Sequence, residues 1–362
     1  MTTFILIVFV IGILILAHEW GHFYSARKLG VKVEEFGIGF SGAEFGFRFP
    51  PKLAVWVKNG VRYTLNPLPF GGFVKIFGEH GEDAASPESF ASRPVGQRAS
   101  IIAAGVLMNF LLAWVLFSGG AFLGVPELAD ASLGPVSIVG LLPGSPAETA
   151  GLKFGDAILE LRAADLSLRV ESDKDVSDFV QAYRGETIML LVKRGERVLE
   201  IHATPRTEVP EGEGPLGVAL GYLTLRAVPW YLAPVEGANM LWQSTVGVVG
   251  GFWTLLREFI TQGRTDAEVS GPVGIFFFAD DTRTLGTAYF LQFIGLLSVN
   301  LAVLNILPIP ALDGGRLFFL LLEKLKGKKI DSRIENLVHG FGFLLLILLM
   351  VFITYKDIAR LF

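Results

Sequence analysis

Long uncharged runs separated by charged stretches divide this chain of 362 residues. Four runs are long enough to cross a bilayer, which takes about 20 mostly apolar residues. They extend from about Phe4 to Ala26, Ala99 to Val125, Thr284 to Leu312, and Asn336 to Tyr355. A fifth run, 237–256, is Gly-rich and carries Asn239, Gln243, Ser244 and Thr245 behind Pro229 and Pro234. It reads as an amphipathic helix on the membrane surface, inside a segment 227–283.

The stretches between the runs show a different period. From 134 to about 222, charged and apolar residues alternate with Gly punctuation; Gly151 and Gly155 suit turns, while Ile158, Leu159 and Leu161 suit a buried strand. This predicts one water-exposed α/β domain. Within 28–98, Tyr63 to Leu68 and Phe73 to Phe77 predict two strands around Gly71-Gly72, a β-hairpin whose edge can take an added strand. Gly71, Gly72, Phe73 and Val74 are therefore candidate substrate-binding residues. Residues 80–95 read as a polar mobile loop, with His80 an ordinary surface residue.

Composition sharpens the picture. A mean hydropathy of +0.52, with 51% hydrophobic and 18% charged residues, is too apolar for a soluble globular protein and fits a polytopic membrane protein. A net charge of −4 offers no basic footprint for nucleic acid. With no cysteine, thiolate ligands, cysteine nucleophiles and disulfides are excluded. The N-terminal run lacks a positive leader and a small-residue cleavage site, so it reads as a retained helix. Basic residues crowd 27–98 (Arg27 through Arg98) and the stretch after the third run (Arg316, Lys324, Lys326, Lys328, Lys329, Arg333). The positive-inside rule places both in the cytoplasm, with the termini and the α/β domain outside.

The chemistry sits at the end of the first run. His18-Glu19-Trp20-Gly21-His22 follows 14 uncharged residues, Phe4 to Ala17. On a helix this spacing puts two imidazoles one turn apart on one face, able to share one zinc ion, with Glu19 placed as general base toward the attacking water. Ionisable groups inside such a run are costly without a function. His18 lies about 21 Å along the helix from Phe4, within the cytoplasmic third of a core roughly 30 Å thick. A third ligand should come from a span ending at the same depth. Asn305-Ile306-Leu307-Pro308-Ile309-Pro310-Ala311-Leu312-Asp313-Gly314-Gly315 offers Asp313, where two prolines and a Gly pair break the helix. Two His and a carboxylate with one open position make a catalytic zinc set; alone, Asp313 would read as a helix-terminal acid. Four spans bring His22 and Asp313 to the same side, whereas a fifth would separate them.

H-E-x-G-H in the first span, with N-x-x-P-x-x-x-x-D-G in a later one, resembles the site-2 protease family of intramembrane zinc metalloproteases, in its bacterial RseP-like branch. Arg62 to Glu79 resembles that family's membrane-associated β-hairpin, Gly96-Gln97-Arg98 through Phe110 the start of its second span, and Ser270-Gly271-Pro272-Val273-Gly274 the segment before its third. The resemblance covers nearly the whole chain. It implies His18, His22 and Asp313 as zinc ligands, Glu19 as base and proton shuttle, and Asn305 as a group holding the substrate backbone or developing oxyanion. Trp20 stands where Phe is usual, and Val106 where Pro is frequent. Residues 134–222 resemble a permuted bacterial PDZ domain, with a turn near Leu133-Gly134-Pro135-Val136 as candidate peptide groove; better-known relatives carry two such domains, and this chain has room for one.

The expected fold is thus a polytopic α-helical membrane protein with four transmembrane helices (1–27, 99–125, 284–315 and 336–357), a cytoplasmic loop 28–98 with a membrane-associated β-hairpin, and one extracytoplasmic PDZ-like domain. The resemblance implies a Zn2+ endopeptidase of the bacterial inner membrane. It would cut a single-pass membrane protein, an anti-sigma factor or remnant signal peptide, after an upstream site-1 protease has trimmed it, with a peptide ligand or a filtering role for the PDZ-like domain. Two other classes stay open: a zinc-binding transporter or sensor, which leaves Glu19 unexplained, and a PDZ scaffold with a vestigial site, which leaves the intact ligand set unexplained.

Overall fold

The charge-free N-terminal run forms helix α1 (Thr2–Lys28), with Arg27 and Lys28 in its last turn facing the negative end of the helix dipole. Gly30, at φ +74°, turns the chain out of it. In this computed structural model the described residues are 2–41, 52–79, 81, 83, 85–129, 134–142, 144–164, 166–210, 212–263 and 271–359. They divide into two units: 1–118 with 234–279 and 292–362, and 119–233 with 280–291.

In the first unit, α1 leads into strand β1 (Val33–Phe40), followed by β2 (Ala54–Lys58), β3 (Val61–Leu65) and β4 (Leu68–Ile76). These make a four-stranded sheet in the order β2-β3-β1-β4. β1 runs parallel to β3 and antiparallel to β4. The sequence expectation of a hairpin around Gly71-Gly72 is corrected here. The hairpin is β2-β3, turning on Asn59-Gly60, both at positive φ (51° and 76°) as a two-residue turn of that type demands. β4 continues through Gly71 and Gly72 with a bulge, Ile38 pairing with Gly72 but Phe40 with Leu68 and Gly71 standing at φ +82°, and the missing side chains let it lie on α1: a Cβ on Gly72 would come within 2.8 Å of Leu16.

Helix α2 (Val95–Leu123) starts behind Pro94 and ends at Gly124, φ +138°. A core of Phe23, Ala26, Val33, Phe36, Ile76, Ile101, Ile102 and Leu320 joins α1, the sheet and the start of α2. Further along α2, Ala113 and Phe117 pack with Val299 and Val303 of helix α7 (Thr287–Ile306) and with Met240, Leu241, Val248 and Phe252 of helix α5 (Ala233–Gln262). The run 237–256, read as an amphipathic helix, lies within α5. α5 buries one face in this core while Trp242 and Trp253 stay exposed, and a separate helix α6 (Pro272–Leu285) follows. The third span is shorter than expected. α7 stops at Ile306, and Asp313 opens a new helix α8 (Asp313–Lys326), which ends on the left-handed Gly327. Helix α9 (Ser332–Ala359) completes the unit, and its Asp357 accepts the Gly271 and Gly274 amides at the start of α6. Among the described residues four helices, α1, α2, α7 and α9, are long and apolar enough to cross a membrane, matching the four spans read from the sequence.

Among the described residues of the polar loop 80–95, Ser89, Phe90 and Ala91 are buried, and the Phe90 amide donates to the Phe77 carbonyl at 2.8 Å. His80 lies outside the described residues.

The second unit holds strands β5 (Val125–Ala129), β6 (Val136–Leu141), β7 (Ala157–Ala163), β8 (Leu166–Arg169), β9 (Ile188–Arg194), β10 (Arg197–Ala203) and β11 (Val218–Arg226), with helices α3 (Pro146–Thr149) and α4 (Asp173–Ala182). The sheet runs β10-β9-β7-β6-β11-β5, with β8 on β7. Its core is Ile138, Ile158, Leu161, Ile188, Leu190 and Val192 against Val176, Phe179 and Val180 of α4. Ser172 caps α4: its hydroxyl accepts the Asp175 amide, and Asp175 accepts the Ser172 amide in return. Asp156, fully buried, is held by Arg194 Nε and Nη2, each at 2.6 Å, and by the Lys153 amide at 2.9 Å. Leu133 of the turn singled out in the sequence lies outside the described residues; Gly134 beside it is closed against the Leu223 backbone, where a Cβ would come within 2.7 Å of a carbonyl oxygen.

Candidate metal centre

Three donor atoms converge where α1, α2 and α8 meet. His18 and His22, one turn apart on α1, face Asp313 at the first position of α8. His18 Nε2 lies 2.9 Å and His22 Nε2 3.2 Å from Asp313 Oδ2, and the two Nε2 atoms are 3.1 Å apart. A tetrahedral zinc ion with bonds of about 2.0–2.1 Å sets its donors about 3.3 Å apart, so this triangle has the right size. Both imidazoles are buried.

Hydrogen-bond partners fix which ring nitrogens are free to face the triangle. His22 Nδ1 sits 2.9 Å from the Ile101 carbonyl, an acceptor only, so Nδ1 carries the proton and Nε2 presents a lone pair. Asp313 Oδ2 is likewise a lone-pair acceptor, buried without a hydrogen-bond donor. Lone pairs converging in a buried space suit a cation, so the residues fit a divalent metal. His18 Nδ1 lies 3.4 Å from the amide of Asn109 on α2, whose Oδ1 is buried without a partner. Turning that amide over, an assignment the hydrogen-bond network decides, lets Oδ1 accept from His18 Nδ1–H and leaves His18 Nε2 for the metal. Ser298 of α7 holds the Asn109 carbonyl at 2.8 Å.

Glycines make the approach possible. A Cβ on Gly21 would drive into the Ala104 carbonyl, and one on Gly105 would collide with His22 Nε2 and stand 2.8 Å from His18 Cε1. Gly314 and Gly315 let the segment 307–312 fold back on α8, where their Cβ atoms would strike the Ile306, Leu307 and Ile309 carbonyls. In that segment Ala311, at φ +78°, gives its amide to His339 Nδ1 at 2.9 Å. The break that Pro308 and Pro310 predict is therefore present and braced by α9.

The remaining candidates gather around the triangle. Glu19 Oε2 accepts the Val74 amide at 3.0 Å. Phe73 and Val74 line a cavity of about 200 Å³ together with His18, Glu19, His22 and Asp313. Asn305, in the last turn of α7, lines a second cavity of about 240 Å³ with His18, Glu19, Asn109 and Asp313. Gly71 and Gly72 lie further back on β4, against Ile15 and Leu16. Among the described residues β4 is an edge strand, and the Val74 amide points away from β1 toward Glu19 of α1. Sequence reading missed Asn109, Gly105 and the Ile101 carbonyl as parts of the site. The signal for Gly105 was available, since a glycine inside an apolar helix marks a close approach.

The model of Peptidase family M50 matches residues 6–349. The chain is 30% identical to the zinc metalloprotease RasP of Shouchella clausii, over the full length of both. It is 29% identical to the regulator of sigma-E protease RseP of Salmonella typhimurium, over 97% of each. It is also 34% identical to a zinc metalloprotease homologue of Nostoc sp., over 97% of this chain and 94% of the other. These matches bear out the resemblance to site-2 proteases carried by the His18–His22 and Asn305–Asp313 motifs, and the chain belongs to peptidase family M50.

Proposed function

We propose that this M50 metalloprotease binds one zinc ion through His18, His22 and Asp313 and uses Glu19 to hydrolyse a peptide bond of a single-pass membrane protein. The observation that carries the reading is the triangle of donors, 2.9 to 3.2 Å on a side, with Glu19 beside it and an open sheet edge at Val74.

The chemistry a bound zinc ion supplies is Lewis acidity toward the scissile carbonyl and acidification of water. The chain supplies the rest. A helical substrate hides its peptide bonds in its own hydrogen bonds, so it must be unwound and held extended. β4 offers the means: amides facing its open side, Val74 among them, pair with an added strand. Glu19 takes the proton from the attacking water and delivers it to the leaving amine. The Asn305 amide, across the cavity, donates to the substrate backbone or to the oxygen on which charge develops. His22 and His18 keep their tautomers through Ile101 and Asn109, which preserves the ligand geometry through the cycle.

Charge distribution supports a topology with 28–98 and the stretch after α8 in the cytoplasm, both termini outside, and the second unit outside as a PDZ-like domain that screens or holds the substrate's outer part. The substrate class that fits is a membrane protein already shortened outside by a site-1 protease, an anti-sigma factor or remnant signal peptide, with release into the bacterial cytoplasm from the inner membrane. The test is cleavage of a single-pass substrate, trimmed on its outer side, by wild type and Glu19→Gln reconstituted in liposomes. Cleavage by wild type alone is expected. Equal cleavage by both, or none by a zinc-loaded wild type alongside metal flux across the liposome, would overturn the reading.

A further inference from the structure

We infer that the ion pair between Glu79 and Arg316 is a positioning clamp that sets the register of β4 against the helix carrying Asp313, and so selects which peptide bond is cut. The inference rests on the proposed role of β4 as the substrate-presenting edge.

Arg316 lies three residues beyond Asp313 on α8, on the same face and about one turn away. Its Nη1 donates to Glu79 Oε1, and both side chains are largely withdrawn from solvent, 27% and 19% exposed. Glu79 ends the turn that follows β4, and its amide bonds back to the Ile76 carbonyl at 3.3 Å. Five residues earlier, Val74 is tied to Glu19 of α1. The strand is thus held at one point to the helix bearing the imidazoles and at another to the helix bearing the carboxylate. The pair also stands in the wall shared by two cavities. One, of about 200 Å³, holds His18, Glu19, His22 and Val74; the other, of about 510 Å³, is lined by Lys329, Glu335 and His339.

Register carries a large chemical penalty. A slip of one residue along a strand is about 3.3 Å and reverses which groups face the added strand. An attack geometry tolerates far less, since a misplacement of about 1 Å can cost about 100-fold in rate. The β1 ladder holds β4 within its sheet, but the tie from Val74 to Glu19 must open when the Val74 amide pairs with substrate, so it does not by itself hold the strand against the helices of the site. Glu79 and Arg316 leave that pairing surface free, so their contact does not have to open for substrate to bind.

The experiment compares full-length wild type with Glu79→Gln, with the apolar pair Glu79→Leu/Arg316→Met, and with the charge exchange Glu79→Arg/Arg316→Glu. The apolar pair avoids leaving one charge unmatched in a buried place, so a folded, tetherless protein is available for comparison. Zinc content, kcat, KM and product termini by mass spectrometry are measured on a single-pass substrate. With zinc retained, Glu79→Gln and the apolar pair are expected to lose about 100-fold in kcat at the wild-type bond and to spread cleavage over neighbouring bonds. The charge exchange is expected to return cleavage to one bond. Zinc-loaded variants that cut only the wild-type bond, at whatever rate, would overturn the clamp while leaving the protease reading intact. A wild type that cuts nothing would overturn both.

Discussion

Replacing Gly105 by alanine separates local helix propensity from the demands of the metal site. In a helix interior Gly→Ala ordinarily stabilises, by about 1 kcal/mol. At Gly119, also on α2, a Cβ would meet Leu291 at 3.6 Å, an ordinary contact, so Gly119→Ala should follow the rule. At Gly105 the added Cβ stands 2.8 Å from His18 Cε1 and closer still to His22 Nε2. Restoring ordinary contact moves the His18 ring by about 0.6 Å, while metal–ligand distances tolerate about 0.2 Å. Both imidazoles belong to helix α1, so they cannot retreat independently, and α1 is already against α2 at Gly21. Zinc affinity should fall by at least about 100-fold, beyond the loss typical of a disturbed supporting hydrogen bond. The assay is zinc competition against a chromogenic chelator, with thermal unfolding in EDTA and in zinc. In EDTA the same clash overpacks the contact between α1 and α2, so the variant should melt lower than wild type by the roughly 1–3 kcal/mol of overpacking less the roughly 1 kcal/mol of helix propensity. In zinc, wild type should gain about 2.7 kcal/mol at 100 times its Kd, and the variant most of that less. A Gly105→Ala protein that binds zinc as wild type does would refute the geometry.

Other consequences can be checked separately. Asn109→Ala removes the partner of His18 Nδ1 and should weaken zinc binding 10- to 100-fold, with Asn109→Asp retaining most of it, measured in the same competition. Arg194→Leu leaves the buried Asp156 carboxylate without its guanidinium and should destabilise the second unit by about 3–5 kcal/mol, read from its melting transition. Ser172→Ala removes the cap of α4 and should cost about 1 kcal/mol, read by amide exchange across α4. The Glu171 and Ser172 amides hold the Asp175 carboxyl below its usual range. A lowered folded value means this contribution is present above the ordinary carboxylate pKa and lost as pH falls through the folded value. Protection of α4 should therefore fade below about pH 4, and protection that increased on acidification would contradict the assignment.

What the sequence made legible follows from which signals are local. The spans were readable because absence of charge over 20 residues is a property of the run itself. The meeting of His18, His22 and Asp313 was readable because the two imidazoles are one turn apart and because Pro308, Pro310 and the Gly pair mark the break before Asp313. Pairing among distant strands was not. β1 follows directly on α1 and pairs in parallel with β3, a partner no adjacent residue announces. Gly71-Gly72 was misread because a glycine pair marks a turn and a close backbone approach with the same letters. The Asn59-Gly60 dipeptide carried the hairpin signal instead. The buried face of α5 was hidden by its glycines and polar residues, which look interfacial until α2 and α7 are placed against it. Asn109 drew no attention because an amide in an apolar run says nothing of the imidazole it meets 91 residues away.

The most direct measurement is zinc X-ray absorption on the purified protein, with zinc content and substrate cleavage followed in the same samples for wild type and Asp313→Ala. The account predicts one tightly held zinc in the wild type with two imidazole nitrogens at about 2.0–2.1 Å and a carboxylate oxygen at about 2.0–2.2 Å, and loss of that oxygen together with cleavage in the variant. A wild-type zinc shell without two imidazoles, or a shell and a cleavage rate unchanged by Asp313→Ala, would contradict it.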